Sequence, residues 1–236
     1  MDISEIISDA ITYPFNNIKA LLLYVVLGII AGLAIGTTLI GVITTSNLNN
    51  TFAAGGIGII GTIISIIILL LISGYELDII KYGINRDSGA PGIELGRQIV
   101  NAIKLIVLNI VYYIIPVIIS FILGLFLRSW LTSIISIILI IIFALAKFMG
   151  ECRLAKTDSL GNGLAVGEAI GDISKVGLLK LIATVIIVAI IIFILMLIIL
   201  GVNSLNTTVG SILLGIFGIY CAFFTARVKG LLYSEV

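Results

Sequence analysis

Apolar and polar positions alternate in blocks along this chain, and the apolar blocks have membrane length. No charged residue occurs between Lys19 and Glu76. About 20 residues cross the hydrocarbon layer as a helix, so this run must fold back on itself. The break falls in the polar, glycine-containing stretch 44–56, which places span 1 at residues 20–43 and span 2 at residues 57–75. The same pattern predicts span 3 at 105–127, span 4 at 131–148, span 5 at 181–200 and span 6 at 209–226. Arg128-Ser129-Trp130 makes a very short turn between spans 3 and 4. The neutral loop 201–208 joins spans 5 and 6.

Two charged elbows, 74–104 and 149–180, connect the pairs. The first turns at Ser88-Gly89-Ala90-Pro91 and continues as a short, half-apolar helix ending at Lys104. The second carries the apolar stripe Val166, Ala169, Ile170 and Ile173. Near the N-terminus, Ile3, Ile6, Ile7, Ala10, Ile11, Phe15 and Ile18 recur with helical spacing. Asp2, Ser4, Glu5, Ser8, Asp9 and Thr12 occupy the opposite face, and Pro14 is expected to end or kink the helix. An acidic polar face does not attract anionic lipid, so this helix is expected at the interface, packed on the bundle. The expected fold is all-α: a polytopic membrane protein with six transmembrane helices as three hairpins, short amphipathic interfacial helices, and one transmembrane domain over residues 1–236.

Composition supports lipid as the solvent. The chain is 61% hydrophobic and 11% charged, against about 25% charged in soluble domains. The charges are one-sided. Of 13 Lys and Arg, only Arg128 lies opposite the termini and elbows, where all 12 acids also fall. The positive-inside rule then predicts a cell-membrane protein with both termini cytoplasmic. Asn49-Asn50-Thr51 and Asn206-Thr207-Thr208 form glycosylation-type triplets on the outer face. The first eighteen residues carry acids and no base, so no cleavable signal is expected.

The net charge is +1, without a basic patch, which argues against a nucleic-acid partner. Histidine is absent, removing the commonest metal ligand and proton shuttle. Cys152 and Cys221 are too isolated to form a zinc or redox motif. No catalytic residue, cofactor site or metal site is expected.

Each hairpin has a similar grammar. A half-apolar segment ends in Lys19, Lys104 or Lys180, and a lysine follows the returning span at Lys81, Lys156 or Lys229. Two explanations stand side by side. Repeats over 1–87, 88–160 and 161–236 would relate the hairpins by an axis along the membrane normal. Alternatively, any six-span protein places lysines at its inner ends.

Some segments carry a resemblance. These are Asp9-Ala10-Ile11-Thr12-Tyr13-Pro14, Gly74-Tyr75, the stretch 96–116 ending at Pro116, and the Ala- and Gly-rich stretch 163–177. Together they resemble the family designated domain of unknown function 4013. The resemblance implies a multi-pass membrane topology, mostly archaeal company, and no activity to transfer.

Candidate functional residues fall in three groups. Gly28, Gly32 and Gly36 on span 1, with Gly215 and Gly218 on span 6, have the spacing of helix-packing seams. Asn109, Tyr112, Pro116 and Ser120 on span 3 suggest a polar path or hinge, because Pro116 frees the Tyr112 carbonyl. Lys147 sits near enough to the inner edge to snorkel. No acid falls within a predicted span. Glu76, Asp78, Asp87, Glu94, Glu151, Asp158, Glu168 and Asp172 are expected to form solvated elbow faces. The leading functional expectation is a non-enzymatic scaffold or accessory membrane subunit, with membrane lipids and a second copy or another membrane protein as partners. The alternative is a transporter or channel for a small neutral or lipidic solute. A lipid-processing enzyme using Glu94 and Glu168 ranks third.

Overall fold

The first helix begins with a reciprocal cap. The Asp2 side chain accepts from the Ile3 N–H, and Glu5 reaches back to the Asp2 N–H at 2.9 Å. In the computed structural model, the backbone is described for residues 1–47 and 51–236. Side chains are described for residues 1–34, 58–206, 209, 210 and 212–236. Helix α1 spans Ile3–Asn16 and buries Ile6, Ala10, Tyr13 and Pro14. It ends two residues beyond Pro14, and the chain bends by 75° before the next helix.

All regular structure among the described residues is helical. After α1 come α2 (Ile18–Asn47), α3 (Thr51–Ile84), α4 (Leu95–Phe126), α5 (Ser129–Thr157), α6 (Leu160–Gly163), α7 (Val166–Val176), α8 (Leu178–Leu205) and α9 (Thr207–Tyr233). Five of the described helices are long and apolar enough to cross a membrane, or six if the bent α1–α2 pair counts as one span. Asn49 and Asn50 of the first triplet lie outside the described residues. So does the packing of Gly36.

Three predicted boundaries move. The short helix expected to end at Lys104 and span 3 are one uninterrupted helix, α4. No glycine or proline separates Arg97 from Pro116, so nothing stops the helix at Lys104. Likewise α3 and α5 run past the expected ends at residues 75 and 148, and carry the start of each elbow as helix. The second elbow breaks at Gly177, whose φ of 92° suits glycine and separates α7 from α8.

Helix α3 is central, packing against α2, α4, α5 and α9. A β-carbon at Gly83 would stand 2.9 Å from the Gly230 Cα, so α3 and α9 cross nearly backbone to backbone. Gly74 permits the same closeness to the Gln98 backbone of α4. Above this crossing, Tyr24 stacks on Tyr75 at 4.3 Å between centroids, with Phe223 edge-on to Tyr24 at 5.8 Å. These contacts join α2, α3 and α9 around a shared aromatic core.

The elbows are tied by buried polar groups. Arg227 is 1% exposed; its Nε donates to Asp9 Oδ1 at 2.6 Å, its Nη1 donates to the Asp87 carbonyl, and its guanidinium lies over the Tyr13 ring. Asp172 is fully buried. It accepts from Arg153 at 2.8 Å, Lys175 at 2.6 Å and the Tyr233 hydroxyl at 2.7 Å, and Arg153 also pairs with Glu168. Asp78 meets Arg97 at 3.1 Å and Asn101 at 3.0 Å. The expectation of solvated elbow acids is therefore corrected for Asp78, Glu151 and Asp172, which are buried and paired. Helix continuation draws Asp78 and Glu151 inward, and α7 packs Asp172 against Arg153 of α5 and Tyr233 of α9. Asp87, Glu94, Asp158 and Glu168 are exposed.

Candidate functional site

Helices α3, α4, α5 and α9 leave a cavity at the charged end of the bundle. Its volume is about 430 Å³, within the range of small-molecule sites. One wall is apolar, formed by Ile66, Leu69, Leu70, Leu105 and Ile106. The other is polar, formed by Ser73, Glu76, Asn109, Lys147, Glu151 and Lys229. Ile66, Leu69 and Ile106 are each about half exposed, at 50%, 51% and 46%, so the apolar wall runs into the lipid-facing surface.

The polar wall follows from helix spacing. Lys147 and Glu151 are four apart on α5 and face the same way. Lys147 Nζ lies 3.6 Å from Glu151 Oε1 and donates to the Tyr113 hydroxyl at 3.3 Å. Lys229, from α9, takes the other carboxylate oxygen of Glu151 at 2.6 Å. Glu151 is thus shared between two ammonium groups and is largely screened from solvent. Such pairing offsets part of the cost of removing charge from water.

Two acceptors in the cavity have no protein partner. Glu76 makes no hydrogen bond or ion pair among the described residues, although it lies close enough to feel Lys229 and Glu151. The Asn109 Oδ1 atom is buried and unpaired. Buried acceptors are ordinarily satisfied; the Asn109 side chain lines the cavity while its Oδ1 is tucked against protein without a donor, so a turn of the amide would bring that acceptor into the cavity.

The expected polar path does not form as a unit. Of Asn109, Tyr112, Pro116 and Ser120, only Asn109 lines the cavity. Tyr112 is buried and donates to the Gly163 carbonyl at 2.9 Å, anchoring α4 to α6. Pro116 is buried and Ser120 half-buried, and α4 continues through both. Lys147, expected to snorkel, turns to Glu151 and Tyr113. The glycine seams also move. Gly28 faces Ile219 of α9, but a β-carbon at Gly32, Gly215 or Gly218 would meet nothing within 4 Å among the described residues. Close approach within the chain is found at Gly74, Gly83, Gly150, Gly163, Gly210 and Gly230.

Sequence reasoning missed Glu76, Glu151 and Lys229 as one cluster. The usable signal was the pair Lys147 and Glu151 at the end of an apolar run, one helical turn apart. A family model described as "Protein of unknown function (DUF4013)" matches residues 57–204, more than half of the chain. The chain belongs to the DUF4013 family. The match includes Ser73, Glu76, Asn109, Lys147 and Glu151, so most of the polar wall lies within the DUF4013 region. Lys229 lies beyond it. No curated protein and no solved structure matches the chain.

Proposed function

We propose that this DUF4013 protein is a non-enzymatic membrane protein that takes a lipid-like amphiphile into the cavity between α3, α4, α5 and α9. One observation carries this reading: the same helices line the cavity with apolar side chains continuous with the lipid-facing surface and with the polar groups Ser73, Glu76, Asn109, Lys147, Glu151 and Lys229. An amphiphile presents that same division. A water-soluble solute would leave the apolar wall unmatched, and a plain hydrocarbon would leave Glu76 and Asn109 without partners. The non-enzymatic reading draws on the pairing of Glu151 with Lys229 and Lys147, which holds these titratable groups in structural roles.

A photoreactive phospholipid tests the proposal. Label is expected on the segment 66–70 and at Ile106, and Asn109→Trp, which fills the cavity, is expected to abolish it. Label spread evenly over the lipid-facing surface, unchanged in the variant, would sink the reading.

A scaffold role is the second reading. Gly32, Gly215 and Gly218 leave open positions where another helix can approach closely. Cysteines at these positions that crosslink to a second copy or to another membrane protein support it; failure to crosslink counts against it.

The placement proposed for both is the cell membrane with termini and elbows cytoplasmic, following the basic-residue bias. An impermeant thiol reagent applied from outside is expected to label a cysteine at Asn206 and to spare one at Asp87. The reverse pattern would invert the topology. The threefold repeat of hairpins is likewise a proposal, resting on the lysine spacing alone.

A further inference from the structure

The two unpartnered acceptors point to a particular head group. We propose that the cavity recognises a zwitterionic lipid head carrying a primary ammonium, with Glu76 and Asn109 accepting its N–H donors and Lys147 meeting its phosphate. This inference rests on the amphiphile reading above and specifies the ligand at that site.

The charges favour this ligand over others. Lys229 holds Glu151 at 2.6 Å, whereas Lys147 holds it only at 3.6 Å. Lys147 is therefore the more loosely held of the two cations, its other contact being a 3.3 Å hydrogen bond to the neutral Tyr113 hydroxyl, which an anion would outcompete. Glu76 has no ion pair among the described residues, yet lies in a cavity walled on one side by hydrocarbon. A carboxylate there gains most from a partner that supplies both positive charge and hydrogen-bond donors. A primary ammonium supplies both, and can also donate to Asn109 Oδ1 once that amide turns into the cavity. A quaternary ammonium supplies charge alone. A purely anionic head would satisfy Lys147 and leave Glu76 facing like charge. The four charged groups on the wall, two lysines and two glutamates, sum to zero, which suits a ligand of no net charge.

Retention of phosphatidylethanolamine and phosphatidylcholine, matched in acyl chains, is measured by native mass spectrometry of the full chain released from mixed micelles. Wild type is expected to prefer phosphatidylethanolamine by about tenfold, the equivalent of one charge-assisted hydrogen bond. In Glu76→Gln, which keeps the shape of the side chain, that preference is expected to shrink toward unity while both lipids are still held. Asn109→Leu is expected to reduce it partly, and serves as the second variant should Glu76→Gln fail to fold. Equal retention of the two lipids by wild type, abolished for both in Asn109→Trp, would overturn the head-group assignment and leave the amphiphile reading intact. No retention of either lipid, or retention indifferent to Asn109→Trp, would overturn both.

Discussion

The charged end of the bundle and its far end are built on different principles. At the charged end, α1, α3, α5, α7 and α9 bury aromatic rings, the paired acids Asp78, Glu151 and Asp172, and the Arg227 guanidinium. At the far end the helices barely bury anything. No described residue between 117 and 145, or between 185 and 206, is buried, and Phe121, Phe126 and Leu205 are 70%, 81% and 88% exposed. Water would drive such surfaces together; hydrocarbon has no such preference. The difference shows where each solvent acts. Packing is specified where polar groups must be satisfied, and the rest of each helix is specified only in length and hydrophobicity.

The comparison breaks first at Asp172. Asp172→Ala removes the buried acceptor shared by Arg153, Lys175 and Tyr233, leaving Arg153 with Glu168 alone as its acid partner, and unfolding in detergent is expected to show a loss of about 2–3 kcal/mol. The pH dependence has a definite sign. Burial pushes the Asp172 carboxyl up, but hydrogen bonds from Lys175, Arg153 and Tyr233 outweigh it and hold the group below its usual range. A depressed folded-state pKa adds stability that is complete above the unfolded value of about 3.9 and is lost as pH falls through the lower folded value. Wild type should therefore lose stability in that acid window more steeply than Asp172→Asn does. Equal slopes would show that Asp172 is not the group responsible.

Glycine substitutions sharpen the contrast. Gly83→Leu forces α3 from α9, and a midpoint shift equivalent to about 1–3 kcal/mol is expected. Gly32→Leu, at a position with open space, should stay within about 0.5 kcal/mol of wild type. A large loss at Gly32 would instead reveal a partner surface there. Tyr112→Phe removes the hydrogen bond to Gly163, and about 1 kcal/mol is the expected cost by the same measurement. The smallest effect belongs to the far end: Ile137→Ala and Ile194→Ala, both half exposed, should each change stability by less than about 0.5 kcal/mol. Losses there rivalling Gly83→Leu would abolish the distinction between the two ends.

The sequence made the helical, membrane-length architecture legible because hydrocarbon imposes a single rule on every span. The bend after Pro14 was also readable, since it is local. The cavity was not. Glu76, Asn109, Glu151 and Lys229 come from four helices, and no periodicity within one segment tells which faces meet. The glycine contacts within the chain were legible only in part, at Gly28 against Ile219, for a related reason. Gly28, Gly32 and Gly36 have the spacing of a seam, but the partner backbone decides where a seam falls, and here α3 meets α9 at Gly83 and Gly230. Elbow acids looked solvated because their helices were expected to stop near the membrane. Uninterrupted helix through residues 76–84 and 149–157 carried Asp78 and Glu151 inward.

Helix α9 follows every other helix in the chain, yet Arg227, Lys229 and Tyr233 complete the networks begun by Asp9, Glu151 and Asp172. During synthesis, α1, α5 and α7 must therefore emerge with these acids lacking their final counterparts. Until α9 is made, Glu151 and Asp172 have only the partners that α5 and α7 supply and Asp9 lacks Arg227, so the inner core closes when α9 arrives.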